Sequence, residues 1–293
     1  MISSSLAASA VVLRKSQVSN GSVDWIGAIL VTAALILAVY AIVTTAPGQW
    51  TSTTTLAQLG GSLALIVIFV LVQAARTEPL LPLHIFRTPN LAVGNLLMAL
   101  LGAAWIPLWF YLNLYLQQTL GFSAWESGLA LVPMTVAIMI LMVGFSGRFI
   151  AALGPKTNLV LGLGVMAVAL VMLARLPADG DFWIDVLPAS LLAALGMSLA
   201  YIPATMVGVS GARPEETGLA SGLINTPYQV GSAVGLAAMV AVAASNEAAG
   251  AAAVDLLPGF KAAFAGAAVI AATGAALALI GLRRARTVSV AAE

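Results

Sequence analysis

The chain has 293 residues, 61% of them hydrophobic and 8% charged, with a formal net charge of +1. A water-soluble domain carries about 25% charged residues, so a soluble fold is excluded, and no clustered basic face exists to bind nucleic acid. There is no cysteine and one histidine, His84, which removes disulfides, thiolate nucleophiles and Cys- or His-pair metal sites, so no cofactor and no metal are expected.

Eight apolar segments follow one another, near 25–45, 56–75, 91–112, 127–147, 158–174, 186–209, 218–243 and 262–282. A helix of about 20 residues crosses the roughly 30 Å hydrocarbon core. The predicted fold is therefore an all-α polytopic membrane protein with eight transmembrane helices. None of these spans has an ionisable side chain in its interior. Membrane pumps usually carry acids or arginines at depth, so either the protein works without such a group or the group lies on another piece of chain.

Residues 1–22 read as a cytoplasmic tail. The apolar stretch Leu6 to Leu13 is too short to span, and its start lacks the basic residues of a signal peptide. It is either the end of a helix whose beginning is missing or a disordered tail. Residues 23–78 form a two-helix hairpin with an outer loop from Thr44 to Thr55. The segment Arg76 to Asn90 reads RTEPLLPLHIFRTPN, and its three prolines break helix. Residues 79–90 are a cytoplasmic connector, with His84 at the interface, and a domain boundary is expected there. Residues 91–284 hold six spans, and residues 285–293 form a second cytoplasmic tail.

The span from Leu91 carries Asn95, Trp105, Trp109 and Tyr111. Trp105, Trp109, Asn113 and Gln117 are four apart and form one stripe. This is either an aromatic and amide wall for an amphiphilic ligand, or an interfacial belt with its amides among headgroups. Pro107, Pro133 and Pro203 are expected kinks. Asp179, Asp181 and Asp185 read as solvated loop acids. Ser198, Tyr201 and Thr205 share a face beside Pro203, lining a cavity or bonding back to their own helix. Arg213, Glu215 and Glu216 belong to a cytoplasmic turn with a helix-capping role.

The segment Gly218–Ala243 is the most informative. Ser221, Asn225, Gln229 and Ser232 recur on one helix face. Asn225 and Gln229 either face a central cavity or bond to neighbouring helices. Gly218/Gly222 and Gly231/Gly235 are spaced for close helix packing, and Pro227 bends the helix.

Loop charges set the orientation. Arg14, Lys15, Arg76, Arg87, Arg148, Lys156, Arg213, Arg283, Arg284 and Arg286 fall on one side, and only Arg175 and Lys261 on the other. The first side, with both termini, is expected to be cytoplasmic. Trp25, Trp50, Trp125 and Trp183 sit near span ends, where amphipathic rings favour headgroups.

Five strings resemble one family in the right order. "SVDWIGAIL" at Ser22–Leu30 is similar to the entry of the seventh helix of fourteen-helix drug:proton antiporters of the major facilitator superfamily. "EPLLPLHIFR" at Glu78–Arg87 resembles their connector between helices eight and nine. "GRFIAALGPK" at Gly147–Lys156 resembles the degenerate second copy of the superfamily's cytoplasmic loop motif. "GLASGLINTPYQVGSAVGLA" at Gly218–Ala237 and "GFKAAFAGAA" at Gly259–Ala268 resemble helices thirteen and fourteen.

The resemblance implies that residues 91–284 are a six-helix half-bundle and that the chain corresponds to helices seven to fourteen. The family's embedded arginine, antiporter motif and usual proton-coupling acid belong to a first half with no counterpart here. Gly147, Arg148, Gly154 and Lys156 would form a gating loop, although Ala151 stands where the first-half copy has an acid. The implied function is the C-terminal part of a secondary transporter in a bacterial-type cytoplasmic membrane. It would export small amphiphilic compounds by alternating access with proton antiport, and be inactive without an N-terminal half, which a separate six-helix chain might otherwise supply. The expected cavity residues are Asn225, Gln229, Ser221, Asn95, Trp105, Trp109, Tyr201 and Thr205. No enzyme is expected, because the spans offer only hydroxyls and amides. The alternative is a non-transporting membrane scaffold or regulatory subunit.

Overall fold

A computed structural model of the chain describes residues 24–45, 52–76, 90–209, 217–246 and 256–282. Both tails, His84, Trp50 and the Arg213 to Glu216 turn lie outside the described residues, as does the connector except Asn90. The structure is helical throughout the described residues. Helix α1 spans Trp25–Thr44 and α2 Thr53–Ala75. Helix α3, Leu91–Leu114, runs on into a π-helical turn at Tyr115–Thr119. Helices α4, Ala124–Ala130, and α5, Val132–Ile140, lead through a second π turn, Leu141–Phe145, into α6, Ser146–Leu173. A third π turn, Phe182–Val186, opens α7, Leu187–Val209. Helices α8, Thr217–Ala244, and α9, Leu257–Gly281, complete the order.

Local chemistry places the ends. The Asp24 and Ser52 side chains accept the Gly27 and Thr55 backbone N–H groups and cap α1 and α2. Ser123 and Glu126 form a reciprocal capping box at α4. Gly154, with φ +78° and followed by Pro155, interrupts α6. A residue bearing a Cβ is strained at that φ, so the glycine divides a 50-residue apolar helical run, Ala124–Leu173, into two rods.

Six helices are long and apolar enough to cross a membrane, and Trp25–Ala41 is a shorter apolar helix. The sequence predicts eight spans; the fourth and fifth lie in the single run that Gly154 breaks, and the first is the short α1 segment. Large apolar side chains face outward, among them Val143, Ile184 and Ile280. Trp25, Trp125 and Trp183, predicted at span ends, are also exposed.

Small residues set the packing of the bundle. Lipid chains are as apolar as leucine, so helices associate in a bilayer through close contact rather than through a hydrophobic drive. A Cβ at Gly162 of α6 would lie 2.6 Å from the Ala200 nitrogen of α7, and one at Gly196 of α7 would lie 2.7 Å from the Met166 nitrogen. Gly231 and Gly235 of α8 pack directly on Ala99 and Ala103 of α3. Gly222 of α8 faces open space instead.

The α1–α2 hairpin holds itself together with polar clips. At its base the buried Asp24 carboxylate accepts the Gln73 amide at 2.6 Å and pairs with Arg76 at 3.0 Å. Ser62 donates to the Ala34 carbonyl at mid-length, and Thr45 bonds Thr55 at the turn. The hairpin meets the bundle mainly where α1 lies against α8.

Candidate functional site

Three helices of the bundle carry a proline beside an aromatic ring. Pro107 lies between Trp105 and Trp109 on α3, Pro203 follows Tyr201 on α7, and Pro227 precedes Tyr228 on α8. Each proline removes the N–H that would bond the carbonyl four residues earlier, which loosens the helix where a cavity needs shape. These four rings line one chamber of about 500 Å³ with Ile106, Ile138, Met142 and Met197. Met142 is brought there by the π turn that separates α5 from α6. π turns displace the helix face by part of a turn, and they recur at functional sites.

The rings come in two edge-to-face pairs. Trp105 and Trp109 have centroids 6.2 Å apart at 71°, and Tyr201 and Tyr228 are 5.7 Å apart at 87°. No carboxylate, ammonium or guanidinium lines the chamber. Its wall is flat π faces, polarisable thioethers and a few phenol and indole donors. Such a lining accepts planar apolar guests and orients them with few hydrogen bonds.

The predicted residues divide among different places. Trp105, Trp109 and Tyr201 meet in the chamber. Asn225 and Gln229 are exposed on another face of α8 and line a separate groove of about 840 Å³ against Leu35, Ile36, Val39, Tyr40 and Thr44 of α1. Ile106 borders both cavities. Ser221 is within α8, but its side chain is outside the described residues. Asn95 donates to its own helix at the Leu91 carbonyl, and the Thr205 hydroxyl donates to that of Tyr201. Ser198 likewise bonds Ala194. Asn113 and Gln117, the outer part of the predicted stripe, bond each other through their side-chain amides.

The loop motif is tied to the bundle at its end. Lys156 Nζ donates to the Leu282 carbonyl at 2.6 Å, completing the C-terminal end of α9. Arg148 stacks on Phe145, 5.9 Å from the ring centroid. Gly147 has open space around it, and Gly154 makes the turn. The buried Asn158 amide donates to the Phe149 and Gly154 carbonyls at 2.7 and 2.9 Å, clamping the motif across its bend.

Sequence reasoning did not single out Tyr228, Met142, Met197 or Asn158. Tyr228 had a local signal, an aromatic beside a helix-interior proline. The methionines had none, because thioethers on an apolar span look like lipid-facing or core residues.

Comparison with known proteins adds a separate line of observation. The profile of the Major Facilitator Superfamily matches residues 16–236. The cephamycin export protein CmcT of Amycolatopsis lactamdurans is 31% identical over 234 residues, 80% of this chain and 48% of the relative. The tetracenomycin C resistance and export protein of Streptomyces glaucescens is 34% identical over 77% of this chain and 41% of its own. The lincomycin resistance protein LmrB of Listeria monocytogenes is 28% identical, over 79% of this chain and 49% of its own. The chain thus spans about half the length of the relatives it matches.

Proposed function

The chain belongs to the major facilitator superfamily, and from that premise we propose that it is the C-terminal part of a multidrug exporter of the fourteen-helix branch. In this reading α1 to α9 make eight transmembrane spans, with the Gly154 turn separating two of them. The hairpin 23–78 precedes a six-helix half-bundle, and both termini are cytoplasmic.

The observation that carries the reading is the chamber of Trp105, Trp109, Tyr201 and Tyr228, shaped by three prolines. Its substrate class is small amphiphilic compounds with a planar aromatic part. The chamber supplies one wall of a cavity that alternates between the two membrane faces. The α6 loop motif, fixed to α9 through Lys156, is the gating element on the cytoplasmic side. Proton antiport requires an embedded titratable group. None lines this chamber, so the coupling residues belong to a first half supplied from elsewhere.

Expression in an efflux-deficient, drug-sensitised bacterium tests this. The chain alone is expected to give no export of a planar cationic dye. Co-expression with a six-helix first half from a relative restores export that an uncoupler abolishes. Uncoupler-sensitive resistance from the chain alone would overturn the assignment of proton coupling to a missing half. Correct insertion with no export in the co-expressed pair would overturn the exporter reading.

A further inference from the structure

One cavity is not part of the chamber or of the α1–α8 groove. It is a membrane-facing groove of about 600 Å³ between the second rod of α6 and α9. Val168, Val171, Met172 and Val269 make its apolar rims, and the exposed Ala265 and Ala272 leave its floor open. The two helices run antiparallel here, because Lys156 at the start of the rod reaches Leu282 at the end of α9. From Ala265 to Ala272 the groove follows α9 for about 10 Å at 1.5 Å per residue.

The charges at its mouth are unusual for this chain. Arg175 lines the groove at the end of α6. Lys261 lies one helical turn before Ala265, on the stripe 261, 265, 268 and 272 that faces the groove. These are the only two cations that loop counting assigns to this side of the membrane. Both stand at the same groove, and neither makes an ion pair or side-chain hydrogen bond with the described residues. The nearby acids are engaged elsewhere. Asp181 accepts the Trp183 and Ile184 N–H groups, and Asp185 accepts that of Asp181. An apolar trough within the hydrocarbon region, closed at its headgroup end by two free cations, is complementary to one kind of molecule.

We propose that this groove binds an anionic phospholipid, one acyl chain lying between α6 and α9 and the phosphate held by Arg175 and Lys261. The inference rests on the membrane-spanning placement of α6 and α9 in the reading above, and not on transport. A bound lipid there would wedge the α6–α9 contact whose far end carries the Lys156 tie, and so stabilise the half-bundle from its outer face.

The test uses the purified full chain in detergent micelles and lipid retention measured by native mass spectrometry. Phosphatidylglycerol and phosphatidylcholine of identical acyl chains are compared, with glycerol 1-phosphate as the headgroup alone. One phosphatidylglycerol is expected to be retained about tenfold or more over phosphatidylcholine, since each cation near the headgroups attracts anionic lipid appreciably. The double variant R175Q/K261Q is expected to lose that preference while still retaining either lipid weakly. Ala265→Phe fills the trough from an exposed position and is expected to reduce retention of both. Equal retention of the two lipids by the parent chain overturns the proposal, as does an unchanged preference in R175Q/K261Q. Competition by glycerol 1-phosphate as strong as by the lipid replaces the lipid with a phosphate ligand, and full retention by Ala265→Phe removes the groove. Failure here with export intact in the co-expressed pair refutes the lipid site alone.

Discussion

Replacing Asp24 by alanine is expected to open the α1–α2 hairpin while leaving the bundle folded. The carboxylate is buried and holds three groups: the Gly27 N–H at 2.8 Å, the Gln73 amide at 2.6 Å and Arg76 at 3.0 Å. Losing the helix cap costs about 1 kcal/mol. Removing the acceptor of the buried Gln73 adds about 1 kcal/mol, at the low end for a buried polar group that loses a partner. A fully buried ion pair broken on one side costs about 3–5 kcal/mol, but the Arg76 side chain is 33% exposed and can turn to water, so its share is about 0.5–1 kcal/mol. The sum is about 2–3 kcal/mol, or roughly 30- to 150-fold in the opening equilibrium. The chain's lack of cysteine makes this measurable. Ala34→Cys places one thiol where the parent side chain is fully buried, and its maleimide labelling rate in micelles reports opening. Asp24→Ala should raise that rate by the stated factor. Asp24→Asn, which keeps the cap acceptor and loses the charge, should raise it by roughly tenfold or less. A rate within twofold of the parent for Asp24→Ala would refute the clip as a determinant of the hairpin.

Three other outcomes follow from the packing and the chamber. Gly235→Leu should lower the thermal midpoint sharply, because the side chain meets Ala103 across the α3–α8 contact, an overpacking cost of about 1–3 kcal/mol or more, whereas Gly222→Leu should leave it near the parent value. Lys156→Met removes the donor to the Leu282 carbonyl and should speed hydrogen exchange in the last turn of α9 with little change at its first turn. Trp105→Ala with Trp109→Ala should weaken binding of a planar aromatic dye by about tenfold or more in a fluorescence titration, and Asn225→Leu with Gln229→Leu should weaken it far less.

The sequence carried the helices well and the site only partly. Apolar runs and the prolines between them marked the segments, since a spanning helix must satisfy its backbone internally and so writes a long continuous signal. The Gly154 break was visible as Gly-Pro in a recognisable loop string. The placement of amides was not visible. Asn225 and Gln229 share a helical stripe, but which neighbour that stripe meets depends on the rotation of α8, which Gly231 and Gly235 fix against α3. That rotation turns Tyr228 into the chamber and the amides toward α1. Asp24 went unremarked because it lies one residue outside an apolar span, and its meaning depends on Gln73 and Arg76, about fifty residues away. Hydroxyls at Ser198 and Thr205 shared a face as expected, yet bond their own helix, an option a periodicity argument always leaves open.

The central claim is that the ring-lined chamber, and not the amide groove beside α1, receives the ligand. Photo-crosslinking with an azido-substituted planar aromatic amphiphile, followed by peptide mapping, addresses it directly. The account expects labels on Met142, Met197, Tyr201 and Tyr228, lost on competition with the unlabelled compound. Saturable labelling confined to α1 and to the Asn225 and Gln229 face of α8 would contradict it.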